Sequence, residues 1–235
     1  YVADNGENGV RVDVTDGGLI CAVDDVTCRY GLWWMTDYKT CVVEYGEEAW
    51  DGSKCVVEQG EFGKEGRDII FREDSTHDLY VQCWDALDNT MPMDVERFLV
   101  DSTPPETTKE YGEPFFETEI NEDTYHWITS DTEIALTARD TKVGVENVSW
   151  RVTLLDVDDE YCYVTCDEQG YGDFNTVPGD TANFTIDETS CHYIEFYSGD
   201  KLNNVENVKS QCVFVDNEAP ETIKTIGEPK VIKTE

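Results

Sequence analysis

Residues 100–114 read VDSTPPETTKEYGEP, and residues 215–229 read VDNEAPETIKTIGEP. A phrase spelled twice at a spacing of 115 residues means that the chain is built from a repeated unit. A unit of that size is a whole domain, far above the 20–50 residues of a solenoid repeat. The 235 residues therefore divide into a first domain over 1–103, a second over 104–217, and a remnant over 218–235 that begins a further repeat. The recurrence extends well upstream of the phrase. THDLYVQCWDALDN (76–89) falls on CHYIEFYSGDKLNN (191–204), so that His77 meets His192, Asp85 meets Asp200 and Asn89 meets Asn204. Earlier still, TDGGLICAVDD (15–25) lies over SDTEIALTARD (130–140) without a gap.

Inside the unit the hydrophobic period is two. Leu19, Cys21 and Val23 alternate with more polar neighbours, as do Ile134, Leu136 and Ala138, and Leu79, Val81 and Cys83. Short alternating runs between Gly, Asp and Asn turns predict antiparallel strands with one buried face. No amphipathic helix is expected. The expected fold is all-β, with two sheets packed as a sandwich in each unit. Proline in the repeated phrase interrupts strand pairing and so suits a domain junction.

An H-x-hydrophobic strand, then D-x-x-x-N, then a last strand ending in V-D-x-x-x-P recurs in both units, most fully in TIDETSCHYIEFYSGDKLNNVENVKSQCVFVDNEAP (185–220). This pattern resembles the immunoglobulin-like domains strung in tandem in prokaryotic cell-surface proteins. The resemblance implies tandem immunoglobulin-like antiparallel β-sandwiches. Cys21 and Cys83 share core parity, and Trp33 and Trp34 follow Cys21 by 12 and 13 residues. This is similar to the inter-sheet disulfide of immunoglobulin domains with its tryptophan on the third strand, and implies a Cys21–Cys83 bridge.

Nine cysteines without a CxxC pair argue against zinc ribbons and favour disulfides in an oxidising, extracellular setting. Cys41 and Cys55 each begin the tetrapeptide CVVE, and the loop between them can fold back, so a Cys41–Cys55 bridge is expected. Cys28 is then left free or intermolecular. In the second unit Cys191 and Cys212 have the opposite parity to Ile194 and Val213, so both are expected to face outward, in a geometry that permits a cross-strand bridge. Cys162 and Cys166 can pair only if the chain turns between them. Three connectivities remain open for these four cysteines.

With 52 acidic residues against 17 basic, the net charge is −35, which excludes nucleic acid as a partner. Such acidity also suits Ca²⁺, a hard cation that takes several oxygen ligands. The V-D-x-x-x-P-E junctions resemble the interdomain segments of calcium-stiffened adhesin repeats, including the acidic linkers of cadherins. That resemblance implies Asp101 and Glu106 as ligands at the first junction, with Asp216 and Glu221 at the second. Asp85, Asp88 and Asp200 lie in the loop before the last strand and could approach a junction.

Nothing here points to catalysis. His77 and His192 occupy matched strand starts, and no serine or cysteine sits in a nucleophile elbow. Trp50, in GEEAWDGS, is the best candidate for an exposed glycan-binding aromatic, and Asn147 and Asn183 are N-x-S/T sequons. No apolar run is long enough to span a membrane, and a chain beginning at Tyr1 reads as a segment of a longer protein. The expected role is a non-catalytic stalk, adhesin, S-layer or filament segment on the cell surface. Its expected partners are other copies or neighbouring domains of the same protein, or a glycan or other cell-surface ligand. The alternative is a carbohydrate-binding or accessory module of a secreted hydrolase.

Overall fold

Alternating side chains build two separate sets of sheets in the computed structural model, which describes residues 9–15, 25–71, 74–120, 123–155 and 170–227. The first unit contains β1 (Val10–Val12), β2 (Val26–Trp34), β3 (Cys55–Phe62), β4 (Arg67–Ile69), β5 (Thr76–Asp85) and β6 (Asp94–Leu99). A four-stranded sheet runs β3-β2-β5-β6, and β1 pairs with β4 across from it. Successive side chains of a strand point to opposite faces. VTCRYGLWW therefore turns Cys28, Tyr30 and Leu32 into one core with Leu79, Phe62, Ile69, Phe71 and Val100.

The expected Cys21–Cys83 bridge is not formed, because Cys83 is bonded to Cys28. Register explains the choice: Cys28 lies directly opposite Cys83 on the β2–β5 ladder, with Cα atoms 3.9 Å apart. The bridge thus joins neighbouring strands of one sheet rather than two sheets, and Cys28 is neither free nor intermolecular. Cys21 lies outside the described residues. Trp33 and Trp34 share β2 with Cys28; Trp33 packs on Tyr80 with ring centroids 4.6 Å apart, away from the bridge.

A short helix that the sequence does not announce, α1 (Tyr38–Tyr45), joins β2 to β3. Asp37 caps its start by accepting from the Thr40 N–H at 3.1 Å, and Gly46, at φ 89°, ends it. A helix of eight residues is marginal in water by itself. The Cys41–Cys55 disulfide ties it to the first residue of β3, and Trp34, Tyr45 and Trp50 pack around the bridge.

The second unit contains β7 (Glu106–Tyr111), β8 (Phe115–Ile120), β9 (Asp123–Ile128), β10 (Ile134–Arg139), β11 (Val145–Leu154), β12 (Asn175–Pro178), β13 (Thr181–Phe184), β14 (Cys191–Asp200) and β15 (Lys209–Val215). Three strands, β13-β10-β7, face six, β12-β11-β14-β15-β9-β8. Ile134, Leu136 and Ala182 from the first sheet meet Val148, Ile194, Phe196 and Val213 from the second, which makes a sandwich. Pairing is antiparallel throughout except where β15 meets β9. β5 and β14 lie 115 residues apart at both ends, so the repeat seen in sequence is a repeat in structure.

Cys191 and Cys212 do project from the face opposite Ile194 and Val213, but that face is covered. Both are buried in a second cluster with Leu155, Tyr193 and Phe214, flanked by Tyr125 and Trp127. Both are disulfide-bonded. They are not opposed on the ladder, where Cys191 faces Phe214 and Cys212 faces Tyr193. Cys162 and Cys166 lie outside the described residues.

At the position of Cys83 the second unit has Ser198, and a carboxylate replaces the disulfide as the local fastener. Glu206 is buried and accepts from the Ser198 N–H at 2.9 Å, the Ser198 hydroxyl at 2.8 Å and the Thr107 N–H at 3.2 Å. The Thr107 hydroxyl also donates to it, and Lys209 pairs with it at 2.9 Å. Burial works against this anion, yet the donors from Thr107, Lys209 and Ser198 outweigh it and hold the carboxyl below the usual glutamate range. Its contribution is therefore complete above the unfolded pKa and is lost as pH falls through the folded value.

Non-reducing peptide mapping is expected to return Cys28–Cys83 and Cys41–Cys55. Closing the 55-residue separation of Cys28 and Cys83 restricts the unfolded chain by about 4 kcal/mol. The Cys28→Ala/Cys83→Ala variant should accordingly lower the first unit's denaturant midpoint and leave the second unit's transition in place.

Candidate metal centre

Val100 ends the first unit by donating its N–H to Ser75 O at 2.7 Å, and Asp101 follows at once. Asp101 is fully buried. Its carboxylate accepts from the Thr103 N–H at 3.1 Å on one oxygen and from the Val143 N–H at 3.4 Å on the other, and its carbonyl accepts from the Asn204 side-chain amide at 3.0 Å. Two of those three donors belong to the second unit.

The second unit shapes two loops to receive it. After β10, Asp140 accepts from the N–H groups of Lys142 (2.9 Å) and Gly144 (2.6 Å), turning the chain so that Lys142 and Val143 face Asp101. Gly144, at φ 80°, takes a backbone conformation costly for other residues. After β14, Asp200 accepts from the N–H groups of Leu202 and Asn204, both at 2.8 Å, and from the Asn204 amide at 2.8 Å. Lys142 is paired with Asp74 of the first unit and lies 3.9 Å from Asp101.

One carboxylate oxygen each from Asp101, Asp140 and Asp200 lie within 4.8 Å of one another. Two oxygens on one ion are separated by at most twice the metal–oxygen distance. Hard divalent cations bind oxygens at about 2.0–2.6 Å, so oxygens roughly 4–5 Å apart can share one ion. The donor set is all oxygen, and the Lys142 ammonium is paired with Asp74 and lies 3.9 Å from Asp101, so the three carboxylates fit a hard divalent cation.

Burial, reinforced by the Asp140 charge, raises the Asp101 carboxyl above the usual aspartate range despite its two N–H donors. Such a group opposes folding once ionised: the cost is absent in acid and sets in as pH rises through the folded pKa. A cation among the three carboxylates would remove that cost.

Of the sequence candidates, the structure brings Asp101 and Asp200 together and adds Asp140. Glu106 is exposed as the first residue of β7, and Asp216 and Glu221 are exposed after β15. Asp85 and Asp88 lie at the far end of β5, whose ten residues hold them roughly 30 Å from the Asp101 end of that strand. Trp50 is only half exposed: it bridges to Cys55 and sets its ring edge-on to Tyr38. Trp33 and Tyr80, as partly buried as Trp50, pack together on the same sheet. Tyr80 lies across Gly31, where a Cβ would sit 2.1 Å from its ring, and the pair lines a groove of about 480 Å³ with Tyr45, Glu48, Lys54 and Gln59. Asn183 is exposed on β13, while Asn147 is partly buried in β11. No family model and no curated protein matches the chain.

Asp101→Asn separates the two roles of the junction. In chelator the variant should melt at or above the wild-type temperature, because an ionised buried carboxyl is gone. With excess Ca²⁺ the order should reverse, since only the wild type gains. Differential scanning calorimetry in the two buffers checks this crossover.

Proposed function

We propose that this chain is a non-catalytic structural segment of an extracellular surface protein, in which two immunoglobulin-like units are coupled by Ca²⁺ at their junction. The observation that carries the reading is the convergence of Asp101, from the end of one unit, with Asp140 and Asp200, from loops of the next. A cation held by carboxylates from both sides converts a short linker into a rigid joint. The two described disulfides support an oxidising compartment. Among the described residues no helix is long and apolar enough to cross a membrane. The kinship with tandem domains of prokaryotic surface proteins rests on the repeated H-x-hydrophobic, D-x-x-x-N and V-D-x-x-x-P pattern, and makes a stalk, adhesin, S-layer or filament the setting.

A second reading, a carbohydrate-binding or accessory module of a secreted hydrolase, draws on the Trp33–Tyr80 groove. The Lys54 ammonium sits 2.8 Å from the centre of the Trp33 ring, so that face is already covered. This favours the structural reading.

Calorimetric titration of Ca²⁺ into chelator-treated protein should show a binding event lost in Asp140→Asn and kept in Glu106→Gln. At calcium a hundredfold above Kd, the gain is about 2.7 kcal/mol. In a chain of this size that moves the melting temperature by on the order of 5 °C or more. Absence of both heat and thermal shift would defeat the reading.

A further inference from the structure

Each half of the internal joint is repeated at an end of the described structure. The half that receives is the turn after the long central strand. In the second unit Asp200 accepts from Leu202 N–H, Asn204 N–H and the Asn204 amide, with Asn203 at φ 65°. In the first unit Asp85 accepts from Leu87 N–H, Asn89 N–H and the Asn89 amide, at 2.8, 2.9 and 2.7 Å, with Asp88 at φ 61°. The strand alongside is placed alike: Val26 faces Asp85 as Val145 faces Asp200. Asp25, the sequence counterpart of Asp140, precedes Val26 directly.

The half that inserts is the end of the last strand. Val215 donates to Ser190 O at 2.9 Å as Val100 donates to Ser75 O. Asp216 then accepts from the Glu218 N–H at 2.8 Å as Asp101 accepts from Thr103. What differs is cover. Asp101 is fully buried and Asp200 nearly so, whereas Asp216 is exposed and Asp85 only partly buried. Leu202 at the closed joint is half-buried, but Leu87 at the open turn is 71% exposed, with Met91 and Met93 exposed close after it in the chain. Beside Asp216 opens an apolar hollow of about 470 Å³ lined by Pro114, Phe116 and Trp127, with Phe116 64% exposed. Both open ends thus present apolar surface around a polar anchor whose partner chemistry is known from the closed joint.

We propose that the Asp85–Asn89 turn of one chain docks onto the Asp216 end of a second copy, reproducing between molecules the joint that Asp101 makes within one. This rests on the structural reading of the internal joint and names the surfaces by which copies meet. The intermolecular joint has fewer contacts, because the residues at 141–144 that bring Lys142 and Val143 onto Asp101 have no counterpart between Asp25 and Val26. Association is therefore reversible and concentration-dependent, and the matched carboxylates make it calcium-dependent.

Sedimentation velocity of the intact chain in CaCl₂, over about a hundredfold range of concentration, should show mass rising head to tail. Asn89→Ala and Asp216→Asn, each confirmed as folded by its melting curve, should each weaken association about tenfold or more. A one-to-one mixture of the two variants should form a dimer and stop there, since one live turn then meets one live tail. A wild-type chain that stays monomeric throughout would overturn the proposal, as would association at wild-type strength in either variant or a mixture that stays monomeric. Calcium heat at the internal site with no self-association would likewise overturn it, while leaving the internal joint standing.

Discussion

The placement of one unit on the other depends on the burial of Asp101. A carboxylate with no solvent exposure is tolerated only where its charge and its lone pairs are met. Here the second unit supplies the Val143 N–H to the carboxylate and the Asn204 amide to the carbonyl of the same residue. Neither donor is available unless the loop after β10 and the turn after β14 are formed, and those are held open by Asp140 and Asp200 respectively. Three carboxylates at one junction are thus a consequence of using aspartate to shape every surface that meets there. Their mutual repulsion is what a cation bound among them would relieve.

The two units fasten the same place in the repeat by different chemistry. Cys83 is bonded to Cys28 across the sheet, while its counterpart Ser198 is held to Thr107 through buried Glu206. The disulfide acts within one sheet. The Glu206 network instead reaches β7, the first strand after the linker, and so fixes the start of the second unit close to Asp101. The unit that must be locked to its neighbour therefore carries the fastener that includes its own leading strand.

The strands were legible because alternation over β5 and β10 is strong, and because β14 repeats β5 at a constant offset. Asp101 and Asp200 were legible as candidates because the phrase and the D-x-x-x-N turn recur. Asp140 lies outside both of these recurring patterns, and its signal is local: D-x-x-x-G at 140–144 is the kind of sequence that closes an aspartate-capped loop. The Cys28–Cys83 bridge was missed because Cys21 has the spacing of an inter-sheet pair; the alternation of Cys28, Tyr30 and Leu32 was the competing signal. Helix α1 was hidden because its stability comes from the Asp37 cap and a disulfide rather than from an apolar stripe. Cys191 and Cys212 do lie on the face opposite Ile194 and Val213, but parity does not reveal that this face is buried too, in a cluster of Leu155, Tyr193 and Phe214 flanked by Tyr125 and Trp127 of β9.

A cation held by Asp101, Asp140 and Asp200 would fix the angle between the two units. Nitroxide probes attached through unnatural residues at exposed Val43, in the first unit, and Asn183, in the second, leave the native disulfides untouched. Pulsed dipolar spectroscopy between these two sites should give one narrow distance distribution in Ca²⁺ and a clearly broader one in chelator. Identical distributions in the two buffers would contradict the account.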